Sequence, residues 1–335
     1  MKTVLITGAG GAIGYHVVKY FLEKTDWQLV CVDSFKAEHK GYFDRLGLIG
    51  KNPRLLLVVH DLNAPFTMRE VEHMGPIDYI INLASRSDVQ NSIDDPLSFV
   101  RNNTELMLTM LEYARIVKPE VFLHFSTDEV YGPAPKLSPG HPEWDAIVPS
   151  NPYSASKAIQ EALAIAWWRS YDVPVIITNT MNNFGETQAP SKYPAMIQTK
   201  LERGETIRVH ATTDGEIGTR YYLHSKSTAD ALLFILRNVP PKLHGPGERD
   251  KPVRLNIVGD RQVDNLQLVH HIAKLMGKEA KTELVSFHEH NPGHDLHYGL
   301  DGFKLNALGW RPPLKFEDSL KQMIDWQTAH PEWLK

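Results

Sequence analysis

Along the first half of the chain, short apolar runs alternate with longer stretches in which apolar residues recur every three or four positions. TVLITG, LVCVDS, LLLVVHDL, YIINLAS, VFLHFST and VPVIITN each have the length and β-branched content of a strand buried on both faces. Between them, GYHVVKYFLEKT, FVRNNTELMLTMLEYARIV and YSASKAIQEALAIAWWRSY carry an apolar stripe at helical spacing. This alternation predicts an α/β fold, a doubly wound parallel sheet covered on both sides by helices. Ligands of such sheets bind at the carboxyl ends of the strands. After about Asn179 the pattern loosens, and Gly, Pro and polar residues become frequent. A first, cofactor-binding domain is therefore expected over 1–178 and a smaller, mixed substrate-binding lobe mainly over 179–335. Within the second half, YYLHSKSTADALLFILRNV reads as strand then helix and predicts a return to the first lobe near 219–238.

Composition narrows the class. At 335 residues, 42% of them hydrophobic, the chain can bury one large core or two interlocked ones. A formal net charge of −4 provides no basic excess for nucleic acid. The single cysteine, Cys31, lies in an apolar run and reads as a core residue rather than a reactive thiol. The N-terminus lacks a signal-peptide pattern and no apolar stretch approaches membrane-spanning length, so a cytoplasmic protein without a membrane partner is expected.

The glycine-rich run TGAGGAIG follows the first strand and precedes the first helix. Gly8, Gly11 and Gly14 allow a tight turn, close approach of backbone to a pyrophosphate, and close helix–strand packing. The helix N-terminus, at Ala12 and Ile13, offers free N–H groups to phosphate. Asp33 ends the second strand, where a carboxylate accepts hydrogen bonds from an adenosine ribose and repels a 2′-phosphate. This Rossmann-type context favours NAD, with Lys36 leaving NADP open. Asp61, followed by Leu62, suits an adenine amino group as well as it suits a plain surface turn. The fourth strand ends in Leu83, Ala84 and Ser85, of which Ala84 and Ser85 are small enough for a cofactor to lie across.

Two segments carry candidate chemistry: Ser126-Thr127-Asp128-Glu129-Val130-Tyr131-Gly132 after an apolar strand, and Tyr153-Ser154-Ala155-Ser156-Lys157 opening a helix. Residues four apart share a helix face, so Lys157 lies beside Tyr153. Its ammonium, with a positive nicotinamide ring, is expected to lower the tyrosine's pKa from about 10 towards neutrality. A tyrosinate then takes a proton from a substrate hydroxyl while hydride leaves for NAD.

In these motifs the chain resembles the extended short-chain dehydrogenases/reductases, and within them it is most similar to the dTDP-glucose 4,6-dehydratases. STDEVYG, NPYSASKA and NPGHD carry the likeness. It implies Thr127, Asp128, Glu129, Tyr153 and Lys157 as catalytic residues. For the cofactor it adds Asn102 and Ser126, and for the substrate Ser87, Asn182, Asn183, Lys192, Arg220, Asn256 and His294. Oxidation at C4 acidifies the C5 hydrogen, for which Glu129 suits as base, and the C6 hydroxyl leaves once protonated, for which Asp128 suits as acid. Neighbouring carboxylates push their pKa values apart, which assists that division. Both acids can face one sugar only if the chain bends at Asp128, because neighbours in a strand point apart.

The likeness implies a recycled NAD, a nucleotide-activated hexose as substrate, no metal, and a homodimer through the helices of LMLTMLEYARIV and IQEALAIAWWRSY. Departures cluster at the substrate end: Asn291, Leu296 and His297 stand where the family has arginines, as does Asn179. Ser227 replaces an acid and Glu186 a proline. Fewer cations around the diphosphate point to a related reaction on a different activated sugar. The alternatives are a C4 epimerase or sugar-acid decarboxylase, which need Thr127, Tyr153 and Lys157 but not the acid pair, and a non-catalytic NAD-binding regulator.

Overall fold

Consecutive residues of the apolar runs point to opposite faces of one sheet, which explains why the runs are continuous rather than alternating. The computed structural model describes residues 1–35, 52–136, 139–245, 247–286 and 293–334; Lys36 and Asn291 lie outside them. Strands β1 (Thr3–Thr7), β2 (Gln28–Asp33), β3 (Leu55–Val59), β4 (Tyr79–Asn82), β5 (Val121–Thr127), β6 (Val175–Thr180) and β10 (Val253–Ile257) form one sheet in the order β10-β6-β5-β4-β1-β2-β3. Every neighbouring pair is parallel. Val4, Ile6, Leu29, Cys31 and Ile81 pack against helices α1 (Ala12–Lys24) and, further along the chain, residues 225–238. Their neighbours Leu5, Val30, Val32 and Ile80 pack on the opposite face, against residues of 96–117 and 152–171. Burial of this kind is worth roughly 1.5–3 kcal/mol per large apolar side chain. The expectation of full burial fails at β3, which lies at the sheet edge and leaves Val59 72% exposed.

The remaining helices are α2 (Met68–Met74), α3 (Val89–Asp94), α4 (Pro96–Val117), α5 (Pro152–Tyr171), α6 (Tyr193–Arg203), α7 (Ser225–Asn238), α8 (Asn265–Met276), α9 (Phe303–Ala307) and α10 (Phe316–Ala329). Both α2 and α5 open on a capping box, at Thr67 and Asn151 respectively. The second lobe holds a sheet of β11 (Gln262–Asp264), β9 (Thr219–His224) and β7 (Asn182–Phe184), and a parallel pair of β12 (Thr282–Ser286) with β8 (Ile207–Ala211). Phe184, Leu201, Tyr222, Leu268, Ile272 and Phe316 are central to its core.

The expected return to the first lobe is divided. Strand β9 joins the small sheet, α7 packs on α1, and the strand that completes the large sheet is β10, further along. Its LNI run is too short to separate from a loop by pattern alone. Strand β6 also runs on to Thr180, past the boundary expected at 178. Among the described residues, no helix is long and apolar enough to cross a membrane.

Candidate active site

Strand order reverses between β4 and β1, and the loops after these two strands form a cradle at the carboxyl edge of the sheet. Gly8 has φ +65°, and a Cβ there would lie 3.0 Å from the backbone of Ala84. A Cβ at Gly14 would stand 2.1 Å from the Gly8 carbonyl, so the first turn of α1 closes on the loop only with glycine. Gly11, the N-cap of α1, provides no side-chain cap for the helix's first N–H groups. The Thr7 hydroxyl donates to Asn82 Oδ1 (2.8 Å) and accepts from Ala84 N (3.1 Å), pinning β1 to β4. Leu83, Ala84 and Ser85 line this junction half-buried. Asp33 accepts from Gly10 N and Phe35 N, both at 2.9 Å, and a carboxylate has lone pairs left for ribose hydroxyls. Asp61 and Asn102 are joined through Asn63, whose amide donates to both, and the neighbouring Leu62 is buried. The residues present therefore fit an adenine dinucleotide: a close-approach loop, a free helix N-terminus and a ribose-accepting acid.

The catalytic candidates converge at the ends of β5 and α5. Strand β5 runs straight into a single 3-10 turn, Asp128–Tyr131, which supplies the bend that two adjacent acids need. The Thr127 hydroxyl donates to Asp128 Oδ1 (3.0 Å) and accepts from Glu129 N (3.4 Å), fixing the turn. Burial first, and then the charge of Glu129, push the Asp128 carboxyl up to about 7, against the Thr127 hydrogen bond and Arg220. Glu129 is raised by burial as well, opposed by a hydrogen bond from Asn151 Nδ2 (3.2 Å) and by Arg220. Asp128 Oδ2 and Ser126 Oγ are buried polar atoms with no partner among the described residues.

Tyr153 and Lys157 lie one turn apart on α5, as expected, but their electrostatics differ from expectation. Burial, with Glu129 and Asp128, raises the Tyr153 phenol, and only the Thr127 hydroxyl counters this. Lys157 Nζ donates to the Phe125 carbonyl (2.8 Å) and Gln160 Oε1 (2.6 Å), and burial lowers its pKa to about 7 against the pull of Glu161. The chain's own groups thus hold Tyr153 protonated, because the lysine is tied to the strand and the acids stand nearer in effect.

At the substrate end the candidates are held in differing ways. Arg220 donates from Nη1 to Thr219 O and Leu296 O and from Nη2 to Asp295 O, with its guanidinium 4.1 Å above the Tyr298 ring. Asn256 Nδ2 donates to the His141 and Asp301 carbonyls, so its amide ties two loops together. Lys192 Nζ is 3.4 Å from Asp88 Oδ2 at the surface. His294 is lowered to about 4 by burial and by the charges of Arg220, His210 and Lys192. Asn182 is exposed on β7, while Asn183 donates to Thr180 and Met181 and accepts from Thr228. Ser87 is exposed beyond β4.

Several residues at this site are not singled out by sequence. Asn151 caps α5 and reaches both Glu129 and Gly293 O. The Asn103 carbonyl accepts from Gln160, the acceptor of Lys157, and its amide donates to Ser156. Asp295 pairs with Ser150 at 2.7 Å and helps to raise Glu129. Asn151 is legible in the sequence, since Asn directly before Pro152 fits an N-cap followed by proline at the first helical position.

A family model described as "NAD dependent epimerase/dehydratase family" matches residues 4–246. A trifunctional UDP-glucose 4,6-dehydratase/UDP-4-keto-6-deoxy-D-glucose 3,5-epimerase/UDP-4-keto-L-rhamnose-reductase of Arabidopsis thaliana is 31% identical over 99% of this chain and 48% of its own. The chain thus spans about half the length of that relative. A dTDP-glucose 4,6-dehydratase of Haemophilus influenzae is 30% identical, with 97% of this chain and 98% of that protein covered. Among solved structures, the dTDP-glucose 4,6-dehydratase of Streptomyces venezuelae bound to NAD superposes with a TM-score of 0.86 at 27% identity, covering 99% of each chain.

Proposed function

The chain belongs to the NAD-dependent epimerase/dehydratase family, and we propose that within it the chain acts as a 4,6-dehydratase of a nucleotide-activated hexose, of the dTDP- or UDP-glucose kind. One observation carries this reading. Asp128, with its carboxyl pushed up to about 7, stands beside Glu129 on a buried turn at the end of β5. The glycine loop of Gly8 to Gly14 and Asp33 would hold NAD, which when bound would supply the acceptor for the C4 hydride and return it to C6. Tyr153, hydrogen-bonded to Thr127 and held protonated by the chain's own groups, would take the proton of the C4 hydroxyl as a phenolate once the positive charge of bound NAD lowers its pKa. Glu129, oriented by Asn151, removes the C5 proton. Asp128, still partly protonated near neutral pH, delivers its proton to the C6 hydroxyl, which departs as water. A C4 epimerase or a decarboxylase leaves this acid pair without a task. The relatives' names carry both UDP- and dTDP-glucose, which supports the substrate class.

We propose in addition that the protein pairs as a homodimer through α4 and α5, which leave Leu97, Ile116, Ile159 and Tyr171 exposed. The test of the function is incubation with dTDP- and UDP-glucose followed by mass spectrometry. Loss of one water, abolished in Glu129→Gln, is expected. An isomer of unchanged mass sinks the dehydratase.

A further inference from the structure

Behind the acid-bearing turn lies an ion pair in which both partners, Arg254 on β10 and Glu161 on α5, are fully buried. The pair belongs to a closed circuit of side chains. Arg254 Nη2 donates to Glu161 Oε2 (2.5 Å) and Nη1 to the Tyr131 hydroxyl (3.2 Å). Tyr131 in turn donates to Asn179 Oδ1 (3.4 Å), and Asn179 Nδ2 donates to Glu161 Oε1 (2.7 Å), closing the ring. Asn179 Nδ2 also reaches the Thr127 carbonyl at 3.0 Å. Trp144 covers the guanidinium at 4.1 Å, sealing it from water. Thr127 is the N-cap and Tyr131 the last residue of the turn that carries Asp128 and Glu129. The circuit therefore grips that turn at both ends and ties it to β6, β10 and α5. Stability alone is a poor reason for it, because two buried charges lose more hydration than a well-packed apolar pair would.

We propose that Arg254 and Glu161 are positioning residues that hold the acid-bearing turn in register with the sugar. The proposal rests on the dehydratase reading above, since it assigns the clamp the task of aiming Asp128 and Glu129. Misplacing such groups by about an ångström slows chemistry by roughly a hundredfold without weakening substrate binding much.

Two variants test the clamp. Arg254→Met with Glu161→Met removes both charges together, a change that buried pairs often tolerate. Tyr131→Phe opens the ring at one hydroxyl and leaves the charges in place. With the nucleotide-activated hexose that the wild type dehydrates, kcat is expected to fall roughly 10- to 100-fold in the double variant and several-fold in Tyr131→Phe. KM should stay within about threefold, and melting should stay cooperative, because a placement fault acts on the chemical step. Folded variants with kcat within about twofold of wild type overturn the clamp and leave the dehydratase standing. Should the double variant fail to fold, Tyr131→Phe alone decides by the same criterion. A wild type that returns an isomer of unchanged mass overturns the dehydratase reading itself, and the clamp with it.

Discussion

Asp128 and Glu129 are adjacent carboxylates that their surroundings set apart. Asp128 has one oxygen on Thr127 and the other without a partner among the described residues, whereas Glu129 accepts from Asn151. The raised Asp128 carboxyl has a consequence for stability. Its folded pKa of about 7 lies above the ordinary aspartate value near 3.9, so the stabilisation is fully present below pH ~4 and is lost as pH rises through ~7. Asp128→Asn carries no such loss. Its stability relative to wild type should therefore increase by up to about 4 kcal/mol between pH 4 and pH 8, while kcat drops by about a hundredfold or more. Urea unfolding at the two pH values and steady-state assays check both; a pH-independent difference contradicts the assignment of Asp128 as a buried acid. The Tyr153 phenol shows what pattern alone missed. A Y-x-x-x-K spacing puts the lysine one turn away, but the bonds of Lys157 to Phe125 O and Gln160 depend on residues far apart in sequence.

At the scale of elements, what was legible is what local pattern determines. Strands β1 to β6 and the glycine loop follow from apolar runs and turn chemistry within a few residues. The 3-10 turn at Asp128 follows from the need of both acids to face one sugar and from the Val-Tyr-Gly that follows them. Strand β10 and the small sheets do not follow from local pattern, because their few apolar positions take meaning only from the neighbours they pair with across the fold. The substrate candidates suffer the same limit: Arg220 and Asn256 match a family pattern, yet their donors are engaged by backbone carbonyls that sequence does not reveal. Asn151 combines an element's stability with the site's chemistry. As the α5 N-cap it contributes about 1 kcal/mol, and its amide orients Glu129. Asn151→Ser keeps a capping oxygen and loses the amide. Thermal melting should hardly move, while kcat falls about tenfold; Asn151→Ala should lose both. Equal kcat in wild type and the serine variant would falsify the orienting role.

Over the whole molecule, the two lobes meet at Glu186, which follows β7 and stands where the resembled family has proline. Its carboxylate lies 3.3 Å from His16 Nε2 on α1 and from His224 Nε2 at the start of α7, and accepts from Gln322 on α10 at 2.6 Å. Thr187 next to it donates to Ala12 O in the cofactor loop's helix. Burial holds His16 down to about 4, below the ordinary histidine value near 6.5. Because the folded value is depressed, the unfolded chain takes up the proton first and stability falls as pH drops from about 6.5 to about 4. The wild type's advantage over His16→Gln should therefore shrink by up to about 3 kcal/mol across that window in urea unfolding. An advantage that holds constant with pH rules out a buried neutral imidazole at this junction. At the same scale, sedimentation is expected to show a dimer at micromolar concentration that a charge at Leu97 or Ile116 dissociates; a monomer in the wild type contradicts pairing through α4 and α5.

In the proposed reaction, Glu129 removes the C5 proton and Asp128 expels the C6 hydroxyl. The most direct measurement runs the reaction in heavy water and reads the product by mass spectrometry and proton NMR. A carboxylate that takes and returns the C5 proton exchanges it with solvent. The expected product has lost one water, carries deuterium at C5, and is absent with Glu129→Gln. A product of unchanged mass that keeps its C5 hydrogen would contradict the proposed reaction.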